Sequence, residues 1–161
     1  MNTILKAGIV LGVLVEIWTY LMGFTGWYKD PALMNLFFVV IAIQIAVLMW
    51  ALKRTAAEGR GWGGQVGAGT LISLIGGVII IVGSLIFTMV VFPNYFTELA
   101  AVQEQMLRTA GQSEEQIKLA MDMTAKTSTP VIQAGFGFLG TMVTGIVVSM
   151  IIGAFVKAKK A

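Results

Sequence analysis

The chain has neither cysteine nor histidine among its 161 residues. Disulfides, zinc sites built on thiolate or imidazole ligands, cysteine nucleophiles and histidine general bases all require one of these two residues. Haem ligation through histidine or cysteine is excluded for the same reason. The remaining residues show no set of nucleophile, base and metal ligands, so we expect a protein that is not an enzyme and that uses no metal or other cofactor.

Charged residues are also scarce, at 12% of the chain against roughly 25% in a typical soluble domain. Three stretches, 31–52, 61–97 and 127–156, contain no charged residue, and residues 7–28 contain only Glu16. A hydrocarbon core of about 30 Å needs about 20 helical residues to cross it. The sequence therefore predicts an all-α membrane protein, a single membrane domain over 1–161 with four transmembrane helices. We place these spans at about 7–28, 33–52, 68–92 and 130–156.

The segments between the predicted spans differ in character. A glycine-rich stretch over 59–69 is predicted to be a flexible connector between the second and third spans. Residues 93–129 are polar, and their apolar residues recur at helical spacing on either side of Gly111. Ser113 and Gln116 have the spacing of a capping box. We expect 93–129 to form a helical hairpin on or near the membrane surface, either flat or upright.

Basic residues cluster on one side of the predicted spans. That side carries seven of the eleven lysines and arginines: Lys6, Lys53, Arg54, Arg60, Lys157, Lys159 and Lys160. By the positive-inside tendency, both termini and the glycine-rich connector are cytoplasmic and the hairpin is extracytoplasmic. The basic residues are therefore interpreted as topology signals, with the lipid bilayer as the expected partner and no nucleic acid.

Glu16 interrupts an otherwise apolar span, and a carboxyl group there needs a polar partner. Depths counted from the cytoplasmic ends place it near a common plane with polar residues of the other spans, which predicts one intramembrane polar cluster: Glu16, Gln44, Ser73, Thr144 and Ser149. In one interpretation Glu16 stays neutral and joins helices or a partner subunit through hydrogen bonds. In the other it is a protonatable site for ions or small solutes.

Small residues recur every four positions along the predicted spans. In the fourth span they are Gly137, Thr141, Gly145, Ser149 and Gly153. Such a face lets another helix approach closely. The partner is either another helix of the same chain or another protein, and both alternatives remain open at this point.

The chain resembles a bacterial membrane family known as domain of unknown function number 4199. The resemblance is carried by the start at 6–8, by residues 92–96, by residues 110–117 and by a fourth span that ends in lysines. It implies four transmembrane helices in a bacterial envelope, hence the inner membrane, and no established activity. We expect an accessory or scaffolding subunit of a membrane complex, or a homo-oligomer. The alternative is a small-solute or ion transporter or channel that uses Glu16 and Gln44.

Overall fold

A computed structural model of the protein describes residues 2–156, and all regular secondary structure in that range is helical. The α-helices are α1 (Thr3–Thr25), α2 (Val39–Ala57), α3 (Trp62–Ile86), α4 (Tyr95–Thr109), α5 (Glu114–Thr127) and α6 (Pro130–Phe155). Two short 3-10 helices, Trp27–Lys29 and Met34–Phe38, lie between α1 and α2, and a π-helical turn, Phe87–Val91, continues α3. The predicted lysines Lys157, Lys159 and Lys160 lie outside the described residues.

Four of the helical segments in residues 2–156 are long and apolar enough to cross a membrane: Thr3–Thr25, Met34–Ala57, Trp62–Val91 and Pro130–Phe155. This finding confirms the prediction of an all-helical, multi-pass membrane protein. The first segment ends earlier than predicted because Gly26 takes a left-handed conformation, with φ +73°, and its N–H donates to the carbonyl of Gly23. Trp27 and Tyr28 therefore lie in the following 3-10 turn.

The predicted glycine-rich connector is wrong over most of its length, because α3 begins at Trp62 and includes every glycine from Gly63 onward. In the connector only Gly59 adopts a positive φ, +88°. Tertiary contacts hold the first turns of α3 as a helix. The indole N–H of Trp62 donates to the carbonyl of Met150. One turn later, the side-chain amide of Gln65 donates to the carbonyl of Val156 at the end of α6.

The α3 helix is the centre of the bundle. It packs against α1 on one flank and α6 on the other, and α2 contacts all three of these helices. Consecutive spans run antiparallel, so α1 and α3 run parallel to each other. The apolar core follows these contacts and is built around fully buried side chains such as Leu11, Leu48 and Ile72.

Glycine allows the helices to approach closely on both flanks of α3. A Cβ atom placed on Gly12 of α1 would lie 2.6 Å from the Cβ of Ile79 and 3.0 Å from the carbonyl oxygen of Gly76. On the other flank, a Cβ atom on Gly145 of α6 would lie 2.6 Å from the Cβ of Ser73. Neither interface has room for a methyl group.

The outer faces of the spans are apolar and exposed. Ile17 on α1, Val82 on α3 and Val143 on α6 are each more than half exposed. In a protein that spans a membrane, such side chains face lipid, which is as apolar as they are.

The polar segment between α3 and α6 contains two amphipathic helices and the predicted capping box. Gly111, with φ +74°, separates α4 from α5, and Ser113 and Gln116 form both bonds of the predicted capping box. Ile117 of α5 is buried, and the Thr124 hydroxyl donates to the side-chain carbonyl of Gln103 on α4. The two amphipathic helices therefore contact each other through the faces that their sequence pattern indicates.

The packing of α3 predicts that Gly145→Ala destabilises the protein by about 1–3 kcal/mol, the usual cost of overpacking. The matched control is Gly140→Ala in the same helix. A Cβ atom there meets nothing within 4 Å, and alanine favours the helix by up to about 1 kcal/mol. Thermal unfolding in detergent measures both variants. Equal unfolding midpoints for the two variants would show that the α3–α6 interface can accommodate a methyl group at Gly145.

Candidate functional site

The structure divides the predicted polar cluster between two levels of α3. Gln44, Ser73 and Ser149 lie at or near one level, and Glu16 lies beside Ser84 at the other. Ser73 and Ser84 are separated by about 16 Å along the helix, at about 1.5 Å per residue. The prediction of a single cluster is therefore wrong for Glu16.

The first site is a buried hydrogen-bond network that joins α2, α3 and α6. Gln44 is buried, and its amide group donates to the carbonyl oxygen of Thr141 at 2.7 Å and to the hydroxyl of Ser73 at 3.4 Å. Gly145 provides the space for this arrangement, because a Cβ atom there would lie 3.1 Å from the Gln44 amide nitrogen. The network holds three spans together at one point.

The two remaining members of the predicted cluster are on α6. Ser149 is fully buried one turn beyond Gly145, and its hydroxyl donates to the Gly145 carbonyl at 2.6 Å within the same helix. It lies against Gly69, where a Cβ atom would overlap it. Thr144 is half-buried, and within residues 2–156 it forms no hydrogen bond with Gln44 or Glu16.

The second site is the carboxyl group of Glu16, between α1 and α3. The Ser84 hydroxyl donates to its Oε1 atom at 3.5 Å, whereas Oε2 is buried and has no hydrogen-bond partner among the described residues. Gly83 makes room for the carboxyl group, since a Cβ atom there would overlap it. The Tyr20 hydroxyl donates to the Gly83 carbonyl oxygen at 3.4 Å on the same side. The π-helical turn of α3 begins three residues after Ser84.

The spans do not start level with one another, and this explains why Glu16 lies beside Ser84 and not beside Ser73. The predicted depths assumed that the four spans start at a common inner plane, but α3 begins at Trp62, several residues before the predicted start. Counted instead from the C-terminal ends of the first and third spans, Thr25 and Val91, Glu16 and Ser84 fall within about two residues of the same level. The observed C-terminal ends of these two spans therefore lie near one level, whereas their starts do not.

The small-residue face of α6 is used inside the chain. Gly145, Ser149 and Gly153 are buried against α3, and the carbonyl of Thr141 accepts the Gln44 amide. Gly137 is the exception, because it is exposed and a Cβ atom there would only touch Ile80 at 4.0 Å. This geometry assigns the face to internal packing rather than to the docking of another protein.

Gln65 is a buried polar residue that sequence reasoning missed, because it lies in the stretch predicted to be a connector. It is fully buried, and its amide group donates to the carbonyl of Val156 at 2.8 Å and to that of Arg60 at 3.3 Å. Its own carbonyl oxygen has no partner among the described residues. Gln65 caps the C-terminal end of α6 and fixes it to the start of α3.

A second feature that sequence reasoning missed lies where α1 and the π-helical turn end. Tyr28, Lys29 and Glu98 come together there: the Tyr28 hydroxyl donates to Glu98, and the Lys29 ammonium lies 2.8 Å from the same carboxylate oxygen. The bond from Lys29 holds the pKa of Glu98 below its usual value, and the bond from Tyr28 adds to this effect. Glu98 in turn raises the pKa of Lys29. The two residues therefore form an ion pair.

Metal binding has no support in the described part of the chain. Within residues 2–156, no group of three or more histidine, cysteine, aspartate or glutamate side chains comes together in a way that could hold a metal ion.

Comparison with known proteins gives one match. A family model described as "Protein of unknown function (DUF4199)" matches residues 6–158. No curated protein and no solved structure matches the chain. The match covers nearly the whole chain, in agreement with the resemblance noted from the sequence.

The network at Gln44 predicts that Gln44→Leu, which keeps the volume of the side chain, lowers the stability of the protein by about 1 kcal/mol. The variant removes the hydrogen bond from α2 to α6. Thr70→Val is the control, because among the described residues the Thr70 hydroxyl bonds only to the Val66 carbonyl of its own helix. Unfolding in detergent is the measurement, and a Gln44→Leu variant as stable as Thr70→Val would mean that the bond does not hold the spans together.

Proposed function

The chain belongs to the DUF4199 family, and we propose that it is a non-enzymatic integral membrane protein that serves as an accessory or scaffolding subunit of a membrane complex, or that assembles with copies of itself. The family description assigns no activity. The proposal therefore rests on the geometry of the spans and on the residues that join them.

Close packing on both flanks of α3 supports this proposal. Transporters that work by alternating access rock or open one part of the bundle against another. Here Gly8 and Gly12 fit α1 against α3, while Gly69 and Gly145 fit α3 against α6, all without space for a methyl group. Helices joined in this way suit a rigid body that offers a fixed surface to other proteins.

The proposed orientation follows the distribution of charge. With both termini in the bacterial cytoplasm and the protein in the inner membrane, the basic residues Lys53, Arg54 and Arg60 lie inside. The helices α4 and α5, which carry most of the acidic residues, then lie outside. Arg54 packs over the ring of Trp50, 4.7 Å from its centroid, as expected of a basic and an aromatic residue at one interface.

Native mass spectrometry of the protein, gently solubilised from its own membrane, tests the assembly role. We expect it to appear with other membrane subunits or as a defined multimer, because the proposal gives it a rigid docking surface. Solubilisation in a harsh detergent is the control, and it should release the single chain. A single chain without partners in mild detergent, from membranes in which it is abundant, would contradict the proposal.

A second candidate function is ion or small-solute transport through Glu16, and one observation favours it. The buried Oε2 atom of Glu16 has no partner among the described residues, although a polar atom in an apolar surrounding normally has one. Tyr20, Ser84 and the Gly83 carbonyl bring further oxygen atoms to the same place.

The variant Glu16→Gln tests this second function, because glutamine keeps a side chain of the same shape but does not bind or release a proton. In proteoliposomes with an imposed membrane potential, a pH-sensitive dye would report proton entry. Transport through Glu16 predicts proton flux in the original protein and its loss in Glu16→Gln, while Thr19→Val, one turn away, keeps it. Flux at the level of empty liposomes in all samples would rule out proton transport.

A further inference from the structure

The outer end of the bundle holds a cavity of about 340 Å³. It lies between the end of α1, the π-helical end of α3 and the first turn of α4. Aromatic rings and one ion pair form its principal walls, contributed by Phe24, Tyr28, Lys29, Phe92, Tyr95 and Glu98. This volume is within the range of small-molecule sites, about 300–1,000 Å³.

The walls of this cavity are held in place by ring contacts. The ring centroids of Tyr28 and Tyr95 are 4.8 Å apart, and those of Phe24 and Phe92 are 5.2 Å apart. Gly23 has no room for a side chain, because a Cβ atom there would lie 2.7 Å from the Phe92 ring. The cavity is therefore formed before any ligand enters, which lowers the entropic cost of binding.

Both members of the ion pair at this cavity can form further hydrogen bonds. Tyr28 and Lys29 both bond to the Oε2 atom of Glu98, and within residues 2–156 its Oε1 atom accepts no hydrogen bond, so it can accept one from a ligand. The Lys29 ammonium carries three N–H donors, of which one is needed for Glu98. The site thus presents one positive and one negative group side by side, with no net charge. Its electrostatic complement is a ligand that carries both charges.

A second cavity, of about 410 Å³, shares Lys29 with the first. Its other walls come from Pro31 and from one side of α4, and they are largely apolar, with Val102, Met106 and Ala110 among them. A molecule whose polar part lies at Lys29 can therefore place an apolar part in the neighbouring space.

We propose that these two cavities form a binding site for a zwitterionic phosphate ester of an amino alcohol, the chemistry of a phosphatidylethanolamine headgroup. The ligand phosphate accepts from the Lys29 ammonium. The ligand ammonium donates to Oε1 of Glu98 and faces the ring of Tyr95, since aromatic rings attract cations. The Lys29 ammonium already lies 5.4 Å from the centroid of the Tyr28 ring, so the aromatic wall already has one ammonium beside it. This site is independent of the proposed assembly role.

Lipid binding to the purified, delipidated protein in detergent tests the site. Native mass spectrometry and thermal unfolding would compare dioleoyl phosphatidylethanolamine, dioleoyl phosphatidylglycerol and water-soluble glycerophosphoethanolamine. We expect the zwitterionic lipid to bind more tightly than the anionic lipid and to raise the unfolding midpoint. Competition by glycerophosphoethanolamine as strong as that of the lipid would identify a soluble ligand of the same chemistry, and its failure to compete would identify the lipid.

Two variants and a control locate the binding. Lys29→Met and Glu98→Gln each remove one charge-assisted bond, so each is expected to weaken binding of the zwitterionic lipid about tenfold. Glu98→Gln should not weaken binding of the anionic lipid and should strengthen it, because that lipid has no ammonium and the Lys29 charge is then no longer neutralised by Glu98. Lys118→Met, at an exposed lysine of α5, should bind as the original protein does. Unfolding midpoints without lipid confirm that each variant folds. Equal binding of both lipids, or zwitterionic binding that neither variant weakens, would overturn the proposal.

Discussion

The bundle depends on how closely the backbone of α3 approaches α1 on one flank and α6 on the other. Lipid is as apolar as the side chains it surrounds, so spans associate mainly through van der Waals contact and interhelical hydrogen bonds. Glycine strengthens van der Waals contact and interhelical hydrogen bonding, because without a side chain between them two helix backbones can approach more closely. Gly8 and Gly12 provide this on the α1 side, and Gly69 and Gly145 provide it on the α6 side. The central position of α3 follows from having such contacts on both flanks.

Polar side chains join the same helices at several depths, and most of these bonds end on a backbone carbonyl of another element. Near the end of the bundle where α3 begins, Gln65 and Trp62 bond to carbonyls of Val156 and Met150. In the middle, the Gln44 amide donates to the Thr141 carbonyl, and toward the opposite end the Trp18 indole donates to the Leu36 carbonyl at 2.9 Å. Glu16 differs from these residues because its hydrogen bond, accepted from Ser84, is long at 3.5 Å, and its Oε2 atom, like the Oε1 atom of Gln65, has no partner in the described structure. Helix packing alone therefore does not explain why a carboxyl group occupies position 16.

The number of apolar spans, the capping box of α5 and the break at Gly111 between α4 and α5 could be predicted because they depend on local patterns: charge-free runs, capping-box spacing and helical periodicity on either side of a glycine. The start of α3 could not, because contacts of Trp62 and Gln65 with α6 override the usual preference of glycine-rich sequence for irregular structure. The partner of Glu16 was missed for a different reason, because the predicted depths assumed that the spans start level with one another. The cavity at Tyr28, Lys29 and Glu98 joins residues about seventy positions apart, and no local pattern indicates such a contact.

A double-mutant cycle at the contact between Gly69 and Ser149 tests most directly whether close approach to α3 determines the bundle. A Cβ atom on Gly69 would lie 2.6 Å from the Cβ of Ser149, whereas its next neighbour, on Leu48, is at an ordinary 3.6 Å. Unfolding free energies would be measured in detergent for Gly69→Ala, Ser149→Gly and the double variant. Close packing predicts that Ser149→Gly relieves most of the destabilisation caused by Gly69→Ala, with a coupling of about 1 kcal/mol or more. Additive effects of the two substitutions would contradict it.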